Sequence, residues 1–167
     1  VAKSNTKLPE YAVWNQIASA NGKSLARLKE RLGWSDRYVL ILASIVEKET
    51  GRESDRGLVA GVFVNRLRIG MPLQTDPTVI YGLGPAFDGN LRKRDLLADT
   101  PYNTYTRNGL PPTPIALPGL ASLRAAVQPQ VTRALYFVAK GDGSSQFSET
   151  LAEHNRAVNR YQRAGGS

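Results

Sequence analysis

The chain has 167 residues, 41% of them apolar and 22% charged, which is enough material for one compact domain with a core of its own. It contains no cysteine and a single histidine, His154, so disulfides, thiolate metal sites and multi-histidine metal sites are excluded and no metal or cofactor is expected. The net charge of +8 favours anionic partners, but Arg92-Lys-Arg94 is the one tight basic cluster and lacks the interleaved aromatics of a nucleic-acid-binding module.

The first residues, Val1-Ala-Lys-Ser-Asn-Thr-Lys7, are polar and lack the apolar segment of a signal peptide. No run approaches the length that crosses a bilayer, so the chain as given is expected to be soluble, with any anchor upstream. Residues 1–22 carry only a loose helical spacing. A helix is predicted over 24–32, capped by Ser24 and stopped by Gly33, and residues 1–34 are left as a segment of uncertain assignment. A second helix, capped by Ser35 or Asp36, runs to residue 49, and a third over 54–67 carries Leu58, Val59, Val62, Phe63 and Leu67 on one side until Gly70 ends it.

Residues 71–76 read as extended, and Asp76-Pro77 as the cap and first turn of a short helix reaching residue 82. Another short helix is expected over 92–97. Residues 100–119 hold five of the ten prolines and read as a long ordered loop that buries its tyrosines, Leu110, Ile115 and Leu117. A helix over 120–127, a strand over 134–139, a Gly/Ser hairpin, a strand at 146–147 and a helix over 149–161 complete an α+β reading dominated by helices, with a small antiparallel β element near the end.

The most informative stretch is Ala43-Ser-Ile-Val-Glu-Lys-Glu-Thr50, because it sets acidic groups inside a core helix. At about 100° per residue, Glu49 shares a face with Tyr38, Leu42, Ile45 and Val46, whereas Glu47 falls opposite with Leu40 and Ser44. A carboxyl at the end of an apolar stripe is partly desolvated, which raises its pKa towards the range of a general acid. Glu49 is the candidate acid, and Glu47 reads as a solvated helix residue.

Three separated segments belong together: Glu47-Lys-Glu-Thr50, Met71-Pro-Leu-Gln-Thr-Asp-Pro-Thr78, and Tyr102-Asn-Thr-Tyr105 followed by Gly109-Leu-Pro-Pro-Thr-Pro-Ile115. The combination resembles the endolytic murein transglycosylases, the YceG-like family. The likeness continues through Val59-Ala-Gly-Val-Phe-Val-Asn-Arg-Leu67, Thr78-Val-Ile-Tyr-Gly82, Tyr136-Phe-Val-Ala139 and Glu153-His-Asn155, covering about residues 38 to 161. It departs in residues 1–34, which lack an aromatic-rich stretch before the catalytic helix, and in Ser144-Ser-Gln-Phe147, which lacks a histidine before the phenylalanine.

The resemblance implies a catalytic domain over residues 35–163 with a lysozyme-like helical core. It implies an enzyme that cuts the β-1,4 bond between N-acetylmuramic acid and N-acetylglucosamine in peptidoglycan strands, leaving 1,6-anhydro ends, with Glu49 as acid and then base. Gln74, Thr75, Tyr102, Asn103 and Tyr105 are implied to bind substrate. From the residues alone, Gln74 and Thr75 could equally tie their loop to its neighbours, and the tyrosines could equally pin the proline-rich loop. Asp76 is placed with the binding residues; helix capping and service as a second carboxylate both stay open for it. His154 reads as a helix residue without a catalytic role. The resemblance further implies an upstream membrane anchor, work at the periplasmic face of the bacterial inner membrane, and partnership with cell-wall synthases such as penicillin-binding proteins. A non-catalytic glycan-binding module, a two-carboxylate muramidase and a salt-sensitive nucleic-acid binder are the rival readings.

Overall fold

The apolar run around Leu42 and Ile45 folds as helix α1 (Asp36–Glu49) in the computed structural model, which describes residues 36–162. The helix expected over 24–32 and the capping role considered for Ser35 lie outside those residues. Ile41, Leu42, Ala43, Ser44, Ile45 and Val46 are all buried, so α1 is enclosed on both faces and is no amphipathic surface helix.

The reading of Glu47 as a solvated residue is corrected, and Ser44 on the same face is covered as well. Ser44 is fully buried; its hydroxyl donates to Ile41 O at 2.7 Å and accepts from the Ile115 amide at 3.0 Å. Glu47 is half-buried and accepts a short hydrogen bond from the Ser122 hydroxyl. The cover on that face comes from the proline-rich loop and from a later helix, α5 (Leu120–Val127), and period alone does not reveal it.

Helix α2 (Glu53–Ile69) packs against both α1 and α5 and ends at Gly70. The left-handed φ of 71° there lets the Gly70 amide return to the carbonyls of Arg66 and Leu67. Gly61 is required for a different reason: a Cβ there would lie 2.5 Å from the Gln130 carbonyl oxygen and 2.8 Å from Thr132 Cγ2. The loop after α5 therefore lies directly on the α2 backbone, held by Gln130 N to Gly57 O at 3.0 Å and by Asn65, whose amide donates to Thr132 O and Ala134 O.

An extended segment leads into α3 (Asp76–Leu83), a 3-10 turn (Gly84–Ala86) and α4 (Lys93–Leu97). Thr75, not Asp76, occupies the cap position of α3, and Asp76 is its first residue. The proline-rich loop is ordered from within. Tyr102 donates to or accepts from Thr113 at 2.7 Å and packs on the Tyr81 ring at 4.8 Å, and Ile115 is buried while Leu117 stays exposed.

Strands β1 (Tyr136–Ala139) and β2 (Ser145–Ser148) form an antiparallel pair with Phe137 opposite Phe147. The first strand starts two residues later than predicted because side chains of α2 take the preceding carbonyls, Asn65 that of Ala134 and Arg66 that of Leu135. Helix α6 (Leu151–Tyr161) follows, capped by Thr150, whose hydroxyl accepts from Glu153 N at 3.2 Å. The fold is α+β, mainly helical, with one two-stranded sheet among the described residues. No helix among them is long and apolar enough to cross a membrane.

Replacing Gly61 by Ala tests the close approach of loop and helix. Helix propensity alone favours Ala by about 1 kcal/mol, but crowding a packed site costs about 1–3 kcal/mol and here the obstacle is a backbone oxygen. The expected outcome is a net loss of stability of about 1–2 kcal/mol in urea unfolding, and unchanged or raised stability would refute the contact.

Candidate active site

Glu49 is the last residue of α1, so its side chain leaves the enclosed part of the helix at the point where the chain opens onto a cleft. The carboxylate is half-buried, and its Oε1 accepts a short hydrogen bond from the Thr75 hydroxyl. Burial is the main influence on this group and pushes its pKa above 4.5. The Thr75 hydrogen bond opposes that rise, the negative charge of Asp76 adds to it, and the Arg66 cation opposes it.

Thr75 is fixed by other threonines. Its amide donates to Thr104 Oγ1 at 3.0 Å, its carbonyl accepts from Thr78 Oγ1 at 2.8 Å, and the Thr78 and Thr104 hydroxyls meet at 2.9 Å. All three are buried. β-Branched residues with few rotamers make a rigid support for the hydroxyl that faces Glu49.

Arg66 lies under the cleft, 7% exposed. Its Nε donates to Leu135 O at 2.8 Å and its Nη1 to Leu73 O at 2.5 Å, and the guanidinium carbon sits 5.5 Å from the centre of the Tyr136 ring. Burial lowers its pKa, but a guanidinium remains a cation under all ordinary conditions. Tyr105 donates its hydroxyl to Asp76 Oδ1 at 2.5 Å. Burial first and Asp76 second hold its phenol well above the usual 10.0, so it stays a neutral donor.

The cleft has a volume of about 650 Å³. Of the residues singled out in the sequence, Glu49, Gln74, Asp76 and Tyr105 line it. Gln74 is exposed and takes a left-handed φ of 50°, uncommon for a residue with a Cβ, and its amide is held by Thr104 O at 3.2 Å. Thr75 lies behind Glu49, 1% exposed, so it supports the carboxylate and offers no surface to a ligand.

Asn103 and Tyr102, also expected to bind substrate, do not line the cleft either. Asn103 is 1% exposed; its Nδ2 donates to Leu96 O at 3.0 Å and Ala98 O at 2.8 Å, and its Oδ1 accepts from the amides of Tyr105 and Thr106. With both ends of the amide saturated by backbone, it holds the loop and places Tyr105 from behind. Tyr102 faces Tyr81 and Thr113 away from the cleft lining. The capping role left open for Asp76 is not used, since its carboxylate takes the Tyr105 hydroxyl.

Arg66, Tyr136, His154 and Asn155 also line the cleft; sequence reasoning assigned none of them to the site, reading His154 as an ordinary helix residue. The signal for Arg66 was present: it stands three residues after Phe63 and four after Val62, on the apolar stripe of α2, and a cation on that stripe is displaced from water. Among the described residues, no group of three or more His, Cys, Asp or Glu could hold a metal ion.

Two outcomes are expected. Asn103→Ala strands two carbonyls and two amides and should cost about 2–4 kcal/mol in chemical unfolding, as buried groups lose their partners. Glu49→Gln should stabilise the protein at pH 7. The folded state holds the Glu49 proton more tightly than the unfolded chain, so stability from this group is fully present below pH 4.5 and is lost as pH rises through the raised folded value. The difference in melting temperature between variant and parent should therefore grow with pH above 4.5 and vanish below it; a gap that does not change with pH would remove the desolvated acid from the site.

The chain matches the model of the YceG-like family over residues 2–160. It is 50% identical over 123 residues to a protein of Bacillus subtilis (strain 168) named endolytic murein transglycosylase, an alignment covering 74% of this chain and 34% of that protein. It is 36% identical over 125 residues to the endolytic murein transglycosylase of Streptococcus pneumoniae serotype 2 (strain D39), covering 72% of this chain and 23% of the relative. A 2.6 Å crystal structure of a yceG-like protein from Listeria monocytogenes superposes with a TM-score of 0.74 at 42% identity, over 84% of this chain and 44% of that one. The chain thus spans about a third or less of the curated relatives it matches. Its fold and sequence together place it in the YceG-like family.

Proposed function

We propose that the chain is the catalytic part of an endolytic lytic transglycosylase acting on peptidoglycan glycan strands. The observation that carries this reading is the Glu49 carboxyl, half-buried, shifted towards its protonated form and opening onto a cleft of about 650 Å³. The relatives named endolytic murein transglycosylase support the substrate class.

In this reading protonated Glu49 gives its proton to the bridging oxygen as the bond from muramoyl C1 to that oxygen breaks. The acetamido carbonyl of the same sugar shields the positive charge at C1. Glu49, now a carboxylate, takes the proton of the muramoyl C6 hydroxyl while O6 bonds to C1, which yields the 1,6-anhydro ring and restores the acid. Thr75 fits both halves of the cycle. Its hydroxyl donates to the carboxylate and can turn to accept when the carboxyl is protonated, so the group is held in place in either state.

Asp76 keeps a second reading in play, because it is another carboxylate in the same cleft and a muramidase would use such a pair. Its engagement by the Tyr105 hydroxyl favours a supporting role, with Tyr105 held at the cleft lining. Work at the periplasmic face of the inner membrane, an anchor upstream and partnership with penicillin-binding synthases belong to the same proposal.

Mass spectrometry of purified glycan strands after incubation with the protein decides between these readings. Internal cuts with 1,6-anhydro ends are expected, reducing ends would move the assignment to a hydrolase, and intact strands would leave only binding. Glu49→Gln should lower turnover by about 10²–10⁴-fold, the usual worth of a general acid-base group, while strand binding persists.

A further inference from the structure

One face of α6 lines the same cleft as Glu49 and presents Leu151, His154, Asn155 and Val158 at helical spacing. Apolar groups at the ends with polar ones between them suit a pyranose, which has apolar faces and polar edges. The imidazole of His154 stacks on the Tyr136 ring, 5.1 Å between centres and 23° between planes, and the Arg66 guanidinium also contacts that tyrosine ring.

The two ring nitrogens of His154 differ in their surroundings. Nδ1 is buried and has no hydrogen-bond partner. Nε2 is not among the buried unpartnered atoms, and the partly exposed ring makes no hydrogen bond to the described residues. An unpaired buried N–H is more costly than an unpaired lone pair, so the proton belongs on Nε2 and the bare lone pair on Nδ1. The titratable and charged groups nearby are Tyr136 on β1, Arg66 on α2, and Glu49, Asp76 and Tyr105 around the cleft. Burial, and then the Arg66 cation, lower the pKa of His154 below 6.5, which keeps the ring neutral at pH 7.

We propose that His154 is a substrate-binding residue that presents Nε2–H as a fixed, neutral donor to an acceptor oxygen of the bound glycan, with the acetamido carbonyl as the best-matched group. A neutral donor has an advantage here. An imidazolium would compete with Glu49 for protons and repel the Arg66 cation, whereas Nε2–H contributes direction without charge. Stacking on Tyr136 fixes the ring plane, so the donor points to one place along the cleft. This inference rests on the transglycosylase reading and adds a binding residue from α6 to that site.

His154 is the chain's only histidine, so an untagged, imidazole-¹⁵N-labelled preparation gives its ring signals without assignment. In the Glu49→Gln variant, titrated with a tetrasaccharide of alternating N-acetylglucosamine and N-acetylmuramic acid, two results are expected. The free protein shows the Nε2–H tautomer at pH 7, and the Nε2 resonance shifts as the sugar saturates. His154→Phe, which keeps a ring on Tyr136 but has no donor, should weaken binding about 3- to 10-fold, the worth of one hydrogen bond. A proton on Nδ1, an imidazolium at pH 7, or an Nε2 signal that stays still while the Tyr105 ring responds would overturn the inference and leave the transglycosylase reading standing. Sugar that moves no cleft signal at all would sink that reading and this inference together.

Discussion

A cation that cannot shed its proton lies beneath the cleft, and the geometry of both walls depends on it. Arg66 satisfies its guanidinium with the carbonyls of Leu73 and Leu135 and with the face of Tyr136. Those carbonyls belong to the segment that carries Gln74 and Thr75 and to the lead into β1. Moving either wall would leave part of a buried charge without a partner, a change that typically costs about 3–5 kcal/mol. Because the partners are carbonyls and not carboxylates, the charge is not cancelled. It reaches Glu49 and His154 through the protein interior, drawing the pKa of both downwards.

For Glu49 that pull is weaker than desolvation, and the net shift is upward. The balance suits the proposed cycle, in which Glu49 gives up a proton and takes one back. Burial alone would make the carboxyl reluctant to ionise, while an ion pair would make it reluctant to hold its proton. A hydroxyl from Thr75 and a cation at one remove lie between these extremes. The three mutually bonded threonines keep the hydroxyl where it is, and Asn103 fixes the loop that brings Tyr105 to Asp76. Much of what is polar in this region acts on the site from behind.

That arrangement explains what could be read in the sequence. The helices α1, α2 and α5 announced themselves by period, cap and glycine stop, and Glu49 by its place at the end of an apolar stripe. Periodicity shows which residues share a face but not what lies against it. Glu47 was expected in water because the cover over that face, Ile115 on Ser44 and Ser122 on Glu47, arrives from more than seventy positions away. Asn103 between two tyrosines has the same composition whether it lines a sugar site or saturates a loop, and only the backbone carbonyls around it decide. His154 was read as an ordinary helix residue for the converse reason: its residue type and position do not show what lies against it, and its significance comes from the cleft it borders.

Gln74 lies at the junction of these constraints. Its left-handed backbone is a conformation that glycine adopts freely and glutamine does not, at a cost of about 1 kcal/mol. A sturdier protein could be had there by discarding the side chain, and the amide at the cleft would go with it. Under the proposed glycan-binding reading, selection for thermal robustness and selection for recognition pull this single position in opposite directions. Laboratory evolution of the fold for heat tolerance alone would be drawn towards glycine at this spot, stripping a polar side chain from the cleft lining while leaving Glu49 in place.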